Sequence, residues 1–480
     1  MFKRSLHRLR RSKFATALSA NPLAQKLIHN KFIRNVSALV GGEALSRVFR
    51  LALVVFIARL LSPYDYGLAA IVLTIREFAN VFTMRGGIAG KLIQADADDL
   101  PVLINTAYWL NWLFSVGLFL LQCALAFPLA HFYGDNALIW PIIIVATAYL
   151  TIPFYAIQMA LLERENRLQV AAAASTLDSM GSNLVTLALA FAGLGVWAII
   201  LPGVVVGPVV QVIFARKYHT WRPRQRFSLA RWQEIMTFGG QLIGGQLLDR
   251  LRSYLDYLLV GKFLGVEVLG IYYFAFTSGL GISLSIIEKF AWAQFPYICE
   301  AKNNVVEFKK RYFSSLKTIA YIIVPLVVLQ TSLAQFYVPV VFGQQWVPAI
   351  PVLVLICLSA IPRPFGYAAS RLLYAIDRTD LELKWNVLFT VFFGVCLVVV
   401  VPYGIVPTAW TVLITHIVAI ALFVLWANRF VFSNRSGHSS GHSSGHPSGH
   451  SSGHPSGHSS GHPSGQLDAA SSPSIEPSKP

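Results

Sequence analysis

Charged residues and cysteines are both scarce in this 480-residue chain. Only 13% of the residues are charged, whereas 55% are apolar and the mean hydropathy is +0.57. Soluble domains carry roughly one quarter charged residues, so this composition excludes an ordinary soluble protein and indicates a polytopic membrane protein. The sequence contains no CxxC pair, and its cysteines are far apart, which disfavours a disulfide framework or a metal finger. The four cysteines are Cys123, Cys299, Cys357 and Cys396.

Short catalytic signatures are also missing. The sequence contains no HExxH motif and no GxxxxGK[ST] phosphate-binding loop. The GxSxG pattern occurs only within the low-complexity GHSS repeats after residue 436, where no strand and helix are predicted to form a nucleophile elbow around it. We therefore predict that the chain is not an enzyme, that it binds no cofactor or catalytic metal, and that it does not hydrolyse nucleotides.

The net charge of +17 would suit a nucleic-acid partner, but its distribution does not. Much of the lysine and arginine lies in short loops between apolar runs. The positive-inside rule and contact with anionic lipid explain that pattern. We expect membrane lipid as a partner and no nucleic acid.

Apolar stretches long enough to cross a bilayer recur along the chain and predict about twelve transmembrane helices. Lysine and arginine cluster in every second loop, so both termini are expected on the cytoplasmic side of the membrane. Outer helix ends carry only two such residues, Arg59 and Lys262. The predicted helices are 36–60, 66–84, 102–130, 138–161, 168–192, 195–215, 237–262, 267–292, 316–341, 347–371, 383–402 and 405–428.

A weak internal duplication divides the chain. Residues 46–68 resemble 249–271 at an offset of 203, which aligns Arg47 with Arg250 and Gly67 with Gly270. Residues 132–134 similarly match 341–343 at an offset of 209. These matches predict an all-α membrane protein of two six-helix bundles, related by a pseudo-twofold axis along the membrane normal. The predicted parts are a basic cytoplasmic leader (1–34), a first lobe (35–215), a basic cytoplasmic linker (216–235), a second lobe (236–430) and a tail (431–480).

The tail changes composition abruptly into GHSS and GHPS repeats, which contain seven of the twelve histidines. Such a segment cannot form an apolar core, so we expect a disordered cytoplasmic tail. Spaced histidines can hold Zn²⁺ or Ni²⁺ loosely, but a solvated tail is the simpler interpretation.

Charges inside predicted membrane helices are the candidate functional residues, because an ionisable group in hydrocarbon needs a wet cavity or a partner. A guanidinium pair in a water-filled chamber can bind a phosphate or pyrophosphate bidentately. The arginines expected in this role are Arg47, Arg50, Arg250, Arg252 and Arg363.

Three intramembrane carboxylates could bind and release H⁺ or Na⁺ as the chamber changes conformation. These are Asp249, Asp256 and Asp178. The alternative is purely structural. The carboxylates would then neutralise neighbouring arginines, and Arg252 can pair with either Asp249 or Asp256 at helical spacing.

Three stretches resemble a known family. ARLLSPYDYGLAA (58–70), WRPRQRFSLARWQEIMTFGGQL (221–242) and LDYLLVGKFLGVEVLGIYYFA (255–275) are similar to the polysaccharide-transporter, or Wzx-type flippase, family of the multidrug/oligosaccharidyl-lipid/polysaccharide exporter superfamily. The resemblance covers about residues 32–430. It implies twelve helices in two bundles around a central cationic cavity, onto which the five candidate arginines map by position.

The resemblance also implies a function, the transfer of an undecaprenyl-pyrophosphate-linked oligosaccharide across the cytoplasmic membrane for surface polysaccharide synthesis. Polymerase or synthase machinery would be a further partner. The alternatives are a cation-coupled multidrug antiporter or a lipid II flippase of the same superfamily, and a membrane glycan polymerase or ligase. A polymerase or ligase fits less well because no predicted outer loop exceeds about a dozen residues.

Overall fold

The computed structural model describes residues 53–83, 85–223, 227–302 and 304–436. Within these ranges the regular secondary structure is helical, and no strand occurs among them. The basic leader, most of the first predicted helix and the tail from residue 437 lie outside the described residues. Arg47 and Arg50 therefore also lie outside them.

The described helices follow one another with short connections, several of them single turns of 3₁₀ or π helix. In chain order they are α1 (53–60), α2 (Pro63–Phe82), α3 (Arg85–Gln94), α4 (Leu100–Tyr133), α5 (Ile139–Thr147), α6 (Ala156–Arg164), α7 (Leu168–Phe191), α8 (Val196–Tyr218), α9 (Trp232–Leu264), α10 (Val266–Cys299), α11 (Val305–Tyr337), α12 (Ile350–Leu358), α13 (Arg363–Ala375), α14 (Thr379–Val400) and α15 (Ile405–Ser436).

Each predicted membrane helix from the second onward has a helical counterpart in the structure. By length and hydropathy, eight stretches of the described residues could cross a membrane, or nine if the two bent parts of α10 form one span. The protein is thus a multi-pass helical membrane protein. The count of twelve remains a prediction, because most of the first predicted helix is not described.

The last helix is longer than predicted. It was expected to end near residue 428, and the tail to begin at 431, but α15 continues to Ser436. The reason is packing, because Phe432 lies against the rings of Phe308 and Tyr312 on α11. The first residues of the range assigned to the tail are therefore helical.

The start of α2 is fixed by the SPYD sequence. Ser62 is the N-cap and forms a capping box with Asp65, while Pro63 occupies the first turn, where its missing N–H costs nothing. Asp65 Oδ1 also accepts a hydrogen bond from the backbone N–H of Val196, at 2.9 Å. This carboxylate therefore holds the start of α8 against the start of α2.

Helices α2 and α10 cross in close backbone contact. A Cβ atom on Gly67 would lie 1.8 Å from the carbonyl oxygen of Val266, and one on Gly270 would lie 1.7 Å from that of Pro63. The offset of 203 relates Pro63 to Val266 and Gly67 to Gly270, so it relates the two contacts to each other. The crossing is therefore reciprocal, because the contact between Gly67 and Val266 is repeated by the equivalent contact between Gly270 and Pro63.

The linker packs onto the first half of the chain. Ile235 is fully buried in a cluster with Ile88 and Leu92. Lys91 of α3 forms an ion pair with Glu234, at 3.1 Å. The end of the predicted linker is therefore the first turn of α9, and this turn is anchored to α3.

Candidate functional site

A chamber of about 840 Å³ lies within the second half of the molecule. Its walls come from α9, α10, α13, α14 and α15, and its lining residues fall between 245 and 423. The charged groups in the lining are Asp249, Arg250, Arg252, Asp256, Glu288, Arg363, Arg371 and Glu382. Arginines and carboxylates are equal in number, so the pairing of each group decides which charge the chamber presents.

Five of the residues proposed from the sequence line this chamber, namely Arg250, Arg252, Arg363, Asp249 and Asp256. Asp178 does not. It lies on α7 in the first half, accepts a hydrogen bond from Ser182 at 3.1 Å, and faces Gly207 of α8. The three carboxylates proposed for cation coupling are thus not gathered at one place.

The two arginines of α9 have acidic partners. Arg252 donates to Asp249 at 2.7 Å and to the side-chain oxygen of Asn386 at 2.7 Å. Arg250 pairs with Glu77 of α2 at 3.3 Å, which links the chamber wall to the first half. Of the two partners that helical spacing allowed Arg252, the structure therefore selects Asp249.

Asp256 has different partners and lies deeper. Its side chain is 3% exposed and accepts hydrogen bonds from the hydroxyl of Tyr272, at 2.8 Å, and from the backbone N–H of Tyr257, at 3.0 Å. Two donors to one buried carboxylate lower the cost of burying it. Asp256 is consequently held at the chamber wall by α9 and α10 together.

Arg363 and Arg371, both on α13, are the cations in the lining that lack such partners. The Nε atom of each is buried and has no hydrogen-bond partner among the described residues, and neither forms an ion pair within the described part of the chain. A buried guanidinium donor without an acceptor is unfavourable by about 1–3 kcal/mol or more. Both residues line the chamber, so an anion there would supply acceptors to the parts of these guanidinium groups that face the cavity.

The sequence did not single out several residues that shape this chamber. Arg371 was missed although it lies eight residues after Arg363, two turns along the same helix. Glu382 and Asn386 share one face of α14 at a spacing of four, which was an available signal.

His416 gave no such signal, because it is a single histidine in an apolar helix. Its Nδ1 lies 2.8 Å from the carbonyl oxygen of Val412 and must donate to it, since a carbonyl only accepts. Its ring packs edge-on against Phe389 and Phe393. His416 therefore contributes to the chamber wall as a ring whose orientation is fixed by this hydrogen bond.

Aromatic side chains cover much of the remaining wall. Tyr254 and Tyr257 of α9, Tyr367 of α13 and Trp385 of α14 all line the chamber, and Trp385 stacks on Phe423 at 4.9 Å between ring centroids. Rings of this kind offer flat apolar faces beside polar tips. The chamber thus places two arginines that form no ion pair with the described residues, one of them over the ring of Tyr374, beside surfaces on which a ring-shaped polar ligand can stack.

Solved structures of similar fold are membrane transporters. A multidrug resistance MATE family transporter in its inward-facing conformation matches with a TM-score of 0.65 and 17% identity, over 81% of this chain and 95% of that chain. The lipid II flippase MurJ in an inward closed conformation matches with a TM-score of 0.61 and 14% identity, over 80% and 87%. These likenesses confirm an all-helical membrane fold, and the arrangement as two bundles of six helices remains a prediction.

Related sequences are more specific. The teichuronic acid biosynthesis protein TuaB of Bacillus subtilis is 26% identical over 337 residues, 69% of each chain. The lipopolysaccharide biosynthesis protein WzxC of Escherichia coli is 27% identical over 348 residues, 70% of this chain and 68% of the relative. The model of the family described as "Polysaccharide biosynthesis protein" matches residues 56–351. Because that match spans more than half of the chain, the protein belongs to this family of polysaccharide biosynthesis proteins and has Wzx-type relatives.

Proposed function

We propose that the protein is a flippase that moves an undecaprenyl-pyrophosphate-linked oligosaccharide from the cytoplasmic to the outer leaflet of the bacterial inner membrane. The diphosphate binds to Arg363 and Arg371, and the first sugars lie along the aromatic wall. The prenyl chain stays in the lipid. The exported unit would then pass to polysaccharide polymerase or synthase machinery.

One observation carries this proposal. The chamber has as many carboxylates as arginines, yet Arg363 and Arg371 are the groups whose Nε donors lack acceptors among the described residues. Guanidinium groups bind phosphate oxygens bidentately, and a low-dielectric site strengthens such bonds. Arg250 and Arg252 lie at the same wall, so they could exchange their carboxylate partners for phosphate as the cargo enters. Arg47 and Arg50, which lie outside the described residues, remain proposed as further ligands of the diphosphate.

The transport cycle is proposed to be a rocking movement of two six-helix lobes related by a pseudo-twofold axis, with both termini in the cytoplasm. The reciprocal contact between Gly67 and Val266, and between Gly270 and Pro63, supports that symmetry. Protons or Na⁺ are proposed to bias the return step by binding at Asp249 or Asp256. Asp178, in the first half, would be a separate coupling site.

The test compares export by Arg363→Gln, Arg371→Gln and the double variant in a strain that lacks its own chromosomal copy of the gene. Each single variant should reduce export about tenfold or more, because a hydrogen bond to a charged group contributes about 1.5–3 kcal/mol. Lipid-linked repeat units should accumulate in the cytoplasmic leaflet. Arg363→Lys should retain only part of the activity, since lysine lacks the fork of donors.

Arg378→Gln is a matched control, because Arg378 is a half-exposed arginine three residues beyond α13 that pairs with Asp380 at 2.9 Å and does not line the chamber. It should export normally. Membrane content and gel-filtration profile establish that each variant folds. Normal export by a folded Arg363→Gln/Arg371→Gln protein would refute the assignment of the diphosphate to these arginines.

A cation-coupled multidrug antiporter is the second candidate, and the carboxylates and aromatic rings of the chamber favour it. Such a protein would bind an organic cation at Asp249, Asp256, Glu288 or Glu382. The two functions are separated by cargo. An antiporter would lower the cellular accumulation of cationic dyes and leave lipid-linked saccharides unaffected, which is the opposite of the outcome expected for a flippase.

A further inference from the structure

Two cationic side chains on the predicted outer face reach across from one half of the chain to the other. Arg59, in α1, donates through Nε to the carbonyl oxygen of Val341 at 2.7 Å and through a terminal nitrogen to that of Val340. Lys262, at the end of α9, donates to the carbonyl oxygen of Phe132 at 2.6 Å, and its ammonium lies 4.2 Å from the centre of the Phe132 ring. Arg59 thus binds the second half, and Lys262 binds the first.

These two contacts are equivalent under the internal duplication. The donors Arg59 and Lys262 are 203 residues apart, and the acceptors Phe132 and Val341 are 209 residues apart. Both offsets come from sequence similarity alone, that of residues 46–68 to 249–271 and that of residues 132–134 to 341–343, which carries no information about contacts. Contacts with carbonyl groups that happened to be nearby would not be expected to involve equivalent acceptors in the two halves. The two contacts therefore form a symmetric pair, which we name the outer latches.

The acceptors are suited to a cation. Phe132 lies in the last turn of α4, just before Gly134 ends the helix in a left-handed conformation with φ of 71°. Val341 lies in the π-helical turn Val338–Phe342 that ends at Gly343. Carbonyl groups in a last turn have no N–H partner within their helix and carry the negative end of its dipole. Each outer latch therefore caps one helix end while joining the two halves.

The space between the outer latches is closed by packing. Trp346 is fully buried and contacts both crossing helices, since its ring stacks on Phe274 of α10 at 3.9 Å and lies edge-on to Tyr66 of α2 at 4.9 Å. The indole N–H of Trp346 donates to the carbonyl oxygen of Ala58 at 2.7 Å, directly before Arg59. This contact has no symmetric copy, because position 137, which is 209 residues earlier, is alanine.

We propose that Arg59 and Lys262 are paired latches that hold the outer face of the molecule closed and that separate when it opens outward. The expected effect of the latches on export rests on the flippase function proposed above. The contacts themselves do not depend on that function. It also explains why these two cations are the exceptions to the depletion of lysine and arginine at the predicted outer helix ends. They serve a contact between the halves rather than membrane orientation.

The test measures outward opening without any substrate. Cys123, Cys299, Cys357 and Cys396 are replaced by serine or alanine, and Val266→Cys is introduced as the reporter. Val266 is 7% exposed and lies against Gly67 in the closed crossing, and cysteine is smaller than valine. The rate at which a membrane-impermeant maleimide labels this thiol on intact cells then reports how often the outer face opens.

Arg59→Gln and Lys262→Gln should each raise the labelling rate about two- to tenfold, the range expected for exposed hydrogen bonds of a charged donor. The double variant should exceed either single one. Arg59→Lys and Lys262→Arg should lie close to the parent. Glu267→Gln is the matched control, because Glu267 is an exposed charge in the first turn of α10 and is not part of either latch; it should leave the rate unchanged.

Unchanged labelling of a folded double variant would overturn the latch assignment, and so would an equal increase for Glu267→Gln. If the double variant does not fold, the two single variants and their conservative counterparts decide in the same way. Labelling only in inverted vesicles would refute the outward placement of this face. Export is measured in parallel. If the latch variants are labelled faster but the protein exports a different cargo, the latches stand and the flippase function is rejected. If the saccharide is exported normally and labelling is unchanged, only the latches are rejected.

Discussion

Adding one methyl group at the α2–α10 crossing should separate the two halves of the molecule. Gly67→Ala would place its Cβ 1.8 Å from the carbonyl oxygen of Val266, and Gly270→Ala would place its Cβ 1.7 Å from that of Pro63. A comfortable C···O contact is roughly 3.3 Å. The backbones would therefore have to move apart by about 1.5 Å, since no flexible side chain can rotate away instead.

The magnitude follows from two opposing effects. Overpacking a close contact costs about 1–3 kcal/mol, and a backbone obstacle belongs at the upper end of that range. Replacing a helical glycine by alanine returns about 1 kcal/mol of helix propensity. Each substitution should therefore destabilise the protein by about 2 kcal/mol. At roughly 2 °C per kcal/mol for a large chain, the midpoint of thermal unfolding should fall by about 4 °C.

The assay is thermal unfolding of the purified protein in detergent, followed by gel filtration of the fraction that remains folded. Gly117→Ala is the matched control. Gly117 lies in the middle of α4 on an exposed face, and a Cβ there would have nothing within 4 Å. This variant should be as stable as the parent or slightly more so. If Gly67→Ala and Gly270→Ala melt within about 1 °C of Gly117→Ala, the backbones do not cross as closely as described.

Two further predictions concern single hydrogen bonds and ion pairs. Tyr272→Phe should lower stability by about 1–3 kcal/mol, because it removes a hydrogen-bond donor to the buried carboxylate of Asp256. In thermal unfolding, the double variant Tyr272→Phe/Asp256→Asn should lose less stability than the two single variants lose in total. The pKa of Glu234 is held below its ordinary value of 4.5 by its hydrogen bonds to Arg231 and then to Lys91. The charged carboxylate of Glu234 therefore stabilises the linker at pH values above its unfolded-state pKa, and this stabilisation is lost as the pH falls through the lowered pKa. Hydrogen exchange in the linker, corrected for the pH dependence of chemical exchange, should therefore accelerate on acidification of the parent protein. It should not accelerate in Glu234→Gln.

The helices were predictable because each membrane span must satisfy its own backbone and present an apolar surface, which composition alone reveals. The ends of the helices were less predictable. Phe432 extends α15 by packing on α11, a contact with a residue more than a hundred positions away. The predicted span 347–371 is divided into α12 and α13, with Pro362 as the N-cap of α13. Such boundaries depend on tertiary contacts and on proline placement, which periodicity does not report.

The candidate site was predictable in kind but not in composition. The rule that charge in a membrane helix needs a cavity or a partner identified Arg250, Arg252 and Arg363, and the structure places all three at the chamber. It could not tell which of them are paired. Arg252 has Asp249 and Asn386 as partners, while Arg363 has none at Nε among the described residues. Pairing is decided by helices that are distant in sequence.

The duplication separates the parts of the molecule that both halves share from those that only one half possesses. At an offset of 203, Arg59 corresponds to Lys262, Pro63 to Val266 and Gly67 to Gly270, so the outer latches and the crossing occur in both halves. The charged residues of α9 have mostly apolar or hydroxyl counterparts, because Asp249, Arg252 and Asp256 correspond to Ser46, Phe49 and Leu53. A rocking movement of the two halves needs matching contacts on both of them, whereas one cargo needs only one set of binding residues. The shared residues are therefore those expected to guide the movement of the halves, and the unshared residues, which surround the chamber, are those expected to select what is carried.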